Sequence, residues 1–539
     1  MTITQREDRS PWPWWQTLAV CAAGVLVLTI ACCVLLEPRW ETNDDIAMSM
    51  IAHGYGVGAH GSPNLIFSNV LWGHIVRALP NFGDVLGYSL ASISLLVICA
   101  TSVAYGLARH GSGAVIACAG LLLIFARPLL FQQFTINAGL LTVAAVLCWR
   151  LYALRGARLA LAIGCVLFFT SWLVRRPEAQ LVLLLALPLL PWHLLRKDRA
   201  AQGALLVLVL ALMVVGQFDR HAYDGAEWQA FKALNPVRAA YTDFGAGRQA
   251  EVQAELIAKH GLSKNDIRLV SRWFFVDPRI ADPVKLDAIL RELPPPPADQ
   301  GPMQSAMKGL AAIWNINLLP LLLAALLLTV LRPSWPLLLS WCVYLAAAFI
   351  TGWMGRPGVL RVLVPLISLL AIAPLLVTPG SGWRRKAMTV VVIGAALGNV
   401  WQVLTESRAM YHTAQRVRKD LDTLSGHTFI AWGAGLPYEH LYPVVHTPAA
   451  LRDLRLYGLG VFTLAPHSVA AEEERRGTGF IQRLLSAEGV PLISAKGVLP
   501  MLEVYCAEHH AGQLREVVAA KYGVLVVGRQ RCEVVATQP

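Results

Sequence analysis

Asp44 and Asp45 stand side by side in Thr42-Asn43-Asp44-Asp45, a few residues beyond the first long apolar run, 17–36. Adjacent carboxylates repel, so one of the two should keep its proton to higher pH than an isolated acid, which suits a general base near neutrality. The same four residues also satisfy a helix capping box, in which Thr42 caps the backbone and Asp45 reaches back to it, ahead of Ile46, Met48, Met50 and Ile51. The position just outside a first span raises the pair above that common local signal.

Arginines at the ends of later apolar runs form a second set: Arg127, Arg175-Arg176-Pro177-Glu178, Arg356 and Arg361. A planar guanidinium can grip phosphate oxygens through two parallel bonds. The ordinary alternative is a side chain that snorkels to lipid headgroups. Arg175 with Arg176 is the stronger candidate, because a basic pair on the outer side runs against the usual charge bias of membrane loops. Glu178, beside them, is a candidate substrate contact. His53 and His60 flank the glycine-rich stretch 54–61 and could ligate a metal or a sugar, or be plain residues of a flexible loop. That stretch lacks the strand-then-helix setting of a phosphate-cradling motif.

The elements that must carry these residues are membrane spans. The chain has 539 residues, of which 56% are hydrophobic and 15% charged, a balance that excludes an ordinary soluble protein. A net charge of +12 would suggest nucleic acid in a soluble chain, but here much of the Lys and Arg lies in short loops between apolar runs, so nucleic-acid binding is set aside. Runs long enough to span number about eleven: 17–36, 85–108, 113–130, 138–154, 158–174, 179–195, 202–218, 309–331, 335–351, 359–378 and 387–404. Arg6 and Arg9 precede the first, which reads as a retained signal anchor. Residues 63–82, interrupted by Asn64, Asn69, His74 and Arg77, read as an amphipathic helix at the interface. With the N-terminus in the cytoplasm, thirteen cations fall on the inner side against seven on the short outer connections, which places Asp44 outside.

The expected fold is therefore mainly α. An N-terminal transmembrane module, 1–218, contains the first outer loop, 37–84; an extracytoplasmic helical insert, 219–308, is closed by the prolines 294–297. Helices 309–404 return to the membrane, and 405–539 form a small extracytoplasmic α/β domain with strand-like runs at 428–432, 460–464 and 523–527. The insert should be helical around 226–240, 249–260 and 265–275. Eight of the ten cysteines fall in apolar runs; Cys506 and Cys532 remain in the outer tail, where a disulfide and two buried thiols are both open. No Cys/His cluster has zinc spacing.

A first span, an acidic pair opening the first outer loop, an interfacial helix, further spans and an outward tail together resemble the GT-C superfamily of membrane glycosyltransferases. Asn235-Pro236-Val237-Arg238, Tyr241-Thr242-Asp243 and Ser263-Lys264-Asn265-Asp266 further resemble a little-characterised bacterial branch grouped with those enzymes. The resemblance implies an inverting transferase in the bacterial inner membrane, moving a sugar from a polyprenyl-phosphate donor to a cell-envelope glycan, lipid or protein acceptor. It implies that Asp44 or Asp45 deprotonates the acceptor and that Arg175, Arg176, Arg127, Arg356 and Arg361 hold the donor's lipid phosphate. Glu178, His53, His60, Arg238 and Asp266 are candidate substrate contacts, and a divalent metal is left open. Competing readings are an O-antigen polymerase or ligase, which would use His221, Arg238 and His260 of the insert, a transporter or flippase, and a structural scaffold. Transport usually needs broken helices or ionisable groups at mid-bilayer, and the apolar runs are nearly free of charges there.

Overall fold

The computed structural model describes residues 13–295, 301–376, 382–418, 428–494, 497–522 and 525–534. Arg6 and Arg9, Pro296 and Pro297, and Gly523 lie outside the described residues.

A long apolar stretch satisfies its backbone internally as an α-helix, the form that lipid tolerates. Among the described residues seven helices are long and apolar enough to cross a membrane: Trp14–Leu35, Gly87–Arg109, Phe134–Arg155, Arg158–Leu189, Arg199–His221, Trp335–Trp353 and Trp383–Arg418. A pair bent by 47°, Pro302–Trp314 with Ile316–Leu331, makes an eighth if it is one span. The expected count of about eleven is not reproduced. The apolar helices Ala114–Leu130 and Leu360–Leu376 are shorter than a full span, and the runs 158–174 and 179–195 share one helical element.

That shared element, Arg158–Ala186, is interrupted at Arg175, whose backbone is extended (φ −158°, ψ 95°) two residues ahead of Pro177. Its two legs run in opposite directions along the helix Phe134–Arg155. On the first leg Gly164 faces Trp149 and Ser171 donates to the Ala138 carbonyl. On the second, Glu178 faces Gly139, and the Leu189 carbonyl just beyond accepts from Arg150. The chain therefore reverses at Arg175.

The bundle has two unlike ends. At one, short connections meet: Ser112 bonds the Leu375 carbonyl, Gly113 faces Arg385, Arg155 bonds the Arg109 carbonyl and Tyr152 bonds Asp198. At the other lie the first polar loop, 37–84, and the two large polar regions. Residues 63–82 form a shorter helix than expected, Val70–Ala78, because the Asn69 side chain caps it by accepting from the Leu71 amide.

The tail is an α/β unit. Its strands are Thr428–Trp432 (β1), Arg455–Leu459 (β2), Val490–Ser494 (β3), Gly512–Tyr522 (β4) and Leu525–Val534 (β5). Their spatial order is β2-β1-β3-β5-β4, with the first three parallel and β5 antiparallel to both its neighbours. The expected strand at 460–464 is instead a turn, because the Thr463 hydroxyl bonds the Gly460 amide and the Gly458 carbonyl. Cys506 and Cys532 form a disulfide, with Cα atoms 5.7 Å apart, that ties the helix Leu499–His510 to β5.

Insert and tail share one core. Phe274 of the insert stacks on Trp432 and meets Phe480 and Tyr505 edge-on, and the Trp432 indole donates to the Arg272 carbonyl. The insert contributes Ala226–Thr242, Ala246–Glu251, Ala254–Lys259, Lys264–Ser271 and Pro283–Glu292, so the single helix expected at 249–260 is two short ones. Two regions that composition separates thus pack as one module.

The glycine-rich stretch 54–61 is not a flexible loop. It runs beside the tail sheet, with Gly56 bonding Leu454 and Leu456 and Val57 accepting from Val469. Gly54 (φ 72°) ends the helix Asn43–His53 where a Cβ would lie 2.5 Å from the Gly61 nitrogen. The first polar loop therefore docks the tail onto the bundle.

Candidate functional site

Asp44 lies in the first turn of the helix Asn43–His53, and Arg361 in the first turn of Leu360–Ile372. Their side chains meet in an ion pair, Nη1 to Oδ2 at 2.7 Å, each about one-fifth exposed (21% and 20%). The break at Arg175 turns its guanidinium towards the same place. It lies 5.3 Å from the ring centres of both Phe67 and Phe134, donates to the Phe67 carbonyl at 3.3 Å, and is within electrostatic reach of Asp44, Glu178, Arg361 and Arg356. Glu178, one turn beyond the break, is 3% exposed, and its Oε1 has no hydrogen-bond partner among the described residues. Arg356 rests over Phe244 at 5.4 Å. Asp44, Arg175, Arg361, Glu178 and Arg356, drawn from three distant stretches of chain, thus gather at the module end of the bundle.

Asp45 does not share that position. It is fully buried, its Oδ1 accepts from the Tyr88 hydroxyl and the Phe134 amide, each at 3.0 Å, and Thr42 donates to Oδ2 at 3.4 Å. Burial, and then the charge of Asp44, raise its pKa well above the usual carboxylate range. Thr42 makes no backbone cap, so the capping box is not formed either. Asp45 joins this helix to the start of Phe134–Arg155, and its enclosure removes it as a base.

The arginines divide likewise. Arg127 is held between Glu41 at 2.8 Å and Glu406 at 2.7 Å and lies over Phe131, so its charge is already matched. Arg176 turns away from its neighbour to lie 5.1 Å over Trp172. His53 accepts the Tyr88 amide at Nε2; burial and then Arg77 push its pKa down to about 4, so it is a neutral structural acceptor. His60 is exposed, near His467 and Glu472.

Arg238 is 1% exposed, sits over Phe231, Trp273 and Phe275, and donates to the Val461 carbonyl between insert and tail. Asp266 completes a capping box with Ser263 and bonds His509 at 2.8 Å. Asp266, Glu508 and His509 lie close enough to hold a metal ion, yet Asp266 already serves the cap and His509, and Glu508 accepts from Ser263. His221 pairs with Asp224 and His260 with Glu292, so among the described residues neither histidine is paired with Arg238.

The Phe67–Phe134 shelf, the buried partner Tyr88, and Glu41 and Glu406 around Arg127 are absent from the expected set. Only Glu41 carried a signal, as the third acid of Glu41-Thr42-Asn43-Asp44-Asp45. No protein-family model, no characterised protein and no solved structure matches this chain.

Proposed function

We propose that the protein transfers a sugar from a lipid-phosphate donor to a hydroxyl acceptor at the outer face of the bacterial plasma membrane, with inversion at the anomeric carbon. The observation that carries this reading is the Asp44–Arg361 pair beside Arg175, whose guanidinium is within electrostatic reach of Asp44, Glu178 and Arg356. The acceptor oxygen attacks the anomeric carbon, the bond from that carbon to the phosphate oxygen breaks with its electron pair, and the acceptor proton passes to a carboxylate. The leaving lipid phosphate gains negative charge beside hydrocarbon, where water stabilises it poorly and fixed guanidinium groups stabilise it well. Asp44 orients Arg361 and is the carboxylate of the expected pair that solvent reaches.

Orientation is supported by the unlike bundle ends. Short arginine-bearing connections meet at one, the cytoplasmic side by the charge bias, and the module at the other contains a disulfide, which suits an oxidising compartment. The donor this reading takes is a polyprenyl-phosphate sugar.

The test is release of polyprenyl phosphate from polyprenyl-phosphate sugars in proteoliposomes. Arg361→Gln and Asp44→Asn should each reduce release by about 100-fold or more with insertion unchanged. Full activity in both would remove the assignment. One observation favours a second reading, transport: the reversal at Arg175 and the buried Glu178 are the broken-helix and ionisable features that transport pathways use. Flux of the lipid across sealed liposomes without release of phosphate would select it.

A further inference from the structure

The reading above leaves open which carboxylate takes the acceptor's proton. Asp45 is enclosed, and the Asp44 Oδ2 is already engaged by the Arg361 guanidinium at 2.7 Å. A third carboxylate lies on a tail helix, Tyr438–Leu441, that packs against the helix carrying Asp44, Asn43–His53. Glu439 lies on the short helix Tyr438–Leu441, which follows β1. Ligands of open α/β sheets bind beyond the carboxyl ends of the strands, and that is where this helix lies.

The position of Glu439 is held from both sides. Val444 donates to the Pro38 carbonyl and Thr447 to the Asp84 carbonyl of the first outer loop, and the Tyr442 ring lies 6.2 Å from Tyr55. Arg418 donates to the His440 carbonyl at 2.8 Å and pairs with Glu37. These contacts place the half-buried Glu439 within electrostatic reach of Asp44. Arg39 and Arg418 act on its neighbour His440. Among the described residues no cation pairs with Glu439.

We propose that Asp44 and Glu439 form a carboxylate dyad in which Glu439, supplied by the tail, accepts the acceptor hydroxyl's proton while Asp44 holds Arg361 for the leaving phosphate. This rests on the sugar-transfer reading. The O–H bond breaks towards a Glu439 oxygen as the new carbon–oxygen bond forms, and the proton later leaves to water. Burial and then the charge of Asp44 raise the pKa of Glu439, as a base working near neutrality requires.

Two measurements on the full-length protein test it. In proteoliposomes with a polyprenyl-phosphate sugar, Glu439→Gln should lower kcat by about 100-fold or more with the donor KM within twofold, and Glu439→Asp should restore part of the rate. Arg361→Gln should also lower kcat but, unlike Glu439→Gln, raise donor KM. A Glu439→Gln enzyme within threefold of wild type in kcat overturns the proposal.

The second measurement needs no turnover. Infrared titration of the carboxyl stretch, taken as wild type minus Glu439→Gln, should show one carboxyl whose midpoint falls in an Asp44→Asn background. An unshifted midpoint means the two acids do not face each other and overturns the dyad. If the dyad titrates as expected but no donor is turned over, the sugar-transfer reading fails and the pairing of the acids stands.

Discussion

Two arginine clusters at the module end of the bundle are built from similar parts and differ in charge balance. Around Arg127, one guanidinium faces two carboxylates, Glu41 and Glu406, and lies over Phe131, with its side chain 6% exposed. Around Arg175, Asp44 is paired with Arg361 and Glu178 lies within electrostatic reach, and the side chains of Arg361 and Asp44 stay about one-fifth open to solvent. In the first the cation is fully matched within the chain and acts as a structural tie between the first polar loop and the last long helix. In the second, Arg175 and Arg356 rest on aromatic rings and make no ion pair among the described residues. Proximity of Arg to acid is thus common to both, and the unpaired guanidinium groups mark the second as the candidate site and the first as a brace.

The sharpest way to break that comparison is to remove each cation. Arg127→Met should destabilise the protein by about 3–5 kcal/mol in detergent unfolding, since it leaves Glu41 and Glu406 without their counter-charge, while phosphate release per folded molecule stays near wild type. If stability is unchanged, the brace is no brace. Arg175→Gln should do the reverse, lowering release by about 100-fold, near 2.7 kcal/mol of transition-state stabilisation, with little loss of folded protein.

A smaller effect sharpens the description of the first cluster. Burial raises the pKa of Glu41, and Arg127 offsets this only in part. The folded chain therefore binds that proton more tightly than the unfolded one, so the contribution is most stabilising below the ordinary carboxylate pKa and is lost as pH rises from there through the raised value. The slope is at most about 1.4 kcal/mol per pH unit, and Glu41→Gln should abolish it in unfolding curves. The smallest effect concerns the adjacent acids. Asp45→Asn keeps an acceptor for Tyr88 and the Phe134 amide and should change release by no more than about fivefold, whereas Asp44→Asn is expected to abolish most of it. Equal loss in both would contradict the division of roles.

Much of the helical plan was legible because it depends on local composition. The apolar runs became helices, 226–240 became Ala226–Thr242, and 428–432 became a strand with the same bounds. The strand placed at 460–464 failed because Gly458, Gly460 and Thr463 close a turn through side-chain bonds that alternation of apolar residues does not encode. The glycines of 54–61 looked like flexible chain. Their lack of side chains instead lets the backbone bond directly to the tail, a choice that depends on a partner about 400 residues away in sequence.

The candidate site was legible in part. Asp44, Arg175, Arg361, Glu178 and Arg356 carry the right chemistry at the right depth, and the fold gathers them. Nothing local distinguishes Asp44 from Asp45, or Arg175 from Arg176. One step along a helix turns a side chain by about 100°, and the extended backbone at Arg175 changes its direction again.

By itself, the sequence determined a chain of apolar helices with large polar regions, because the length and composition of a run decide whether its backbone can be satisfied as a helix in lipid. Only the tertiary structure decided which acid is enclosed, which arginines are already neutralised, and that insert and tail form one module. Those outcomes depend on electrostatic and packing partners far apart in the chain, and charge compensation is a property of the surroundings of a residue, not of its type.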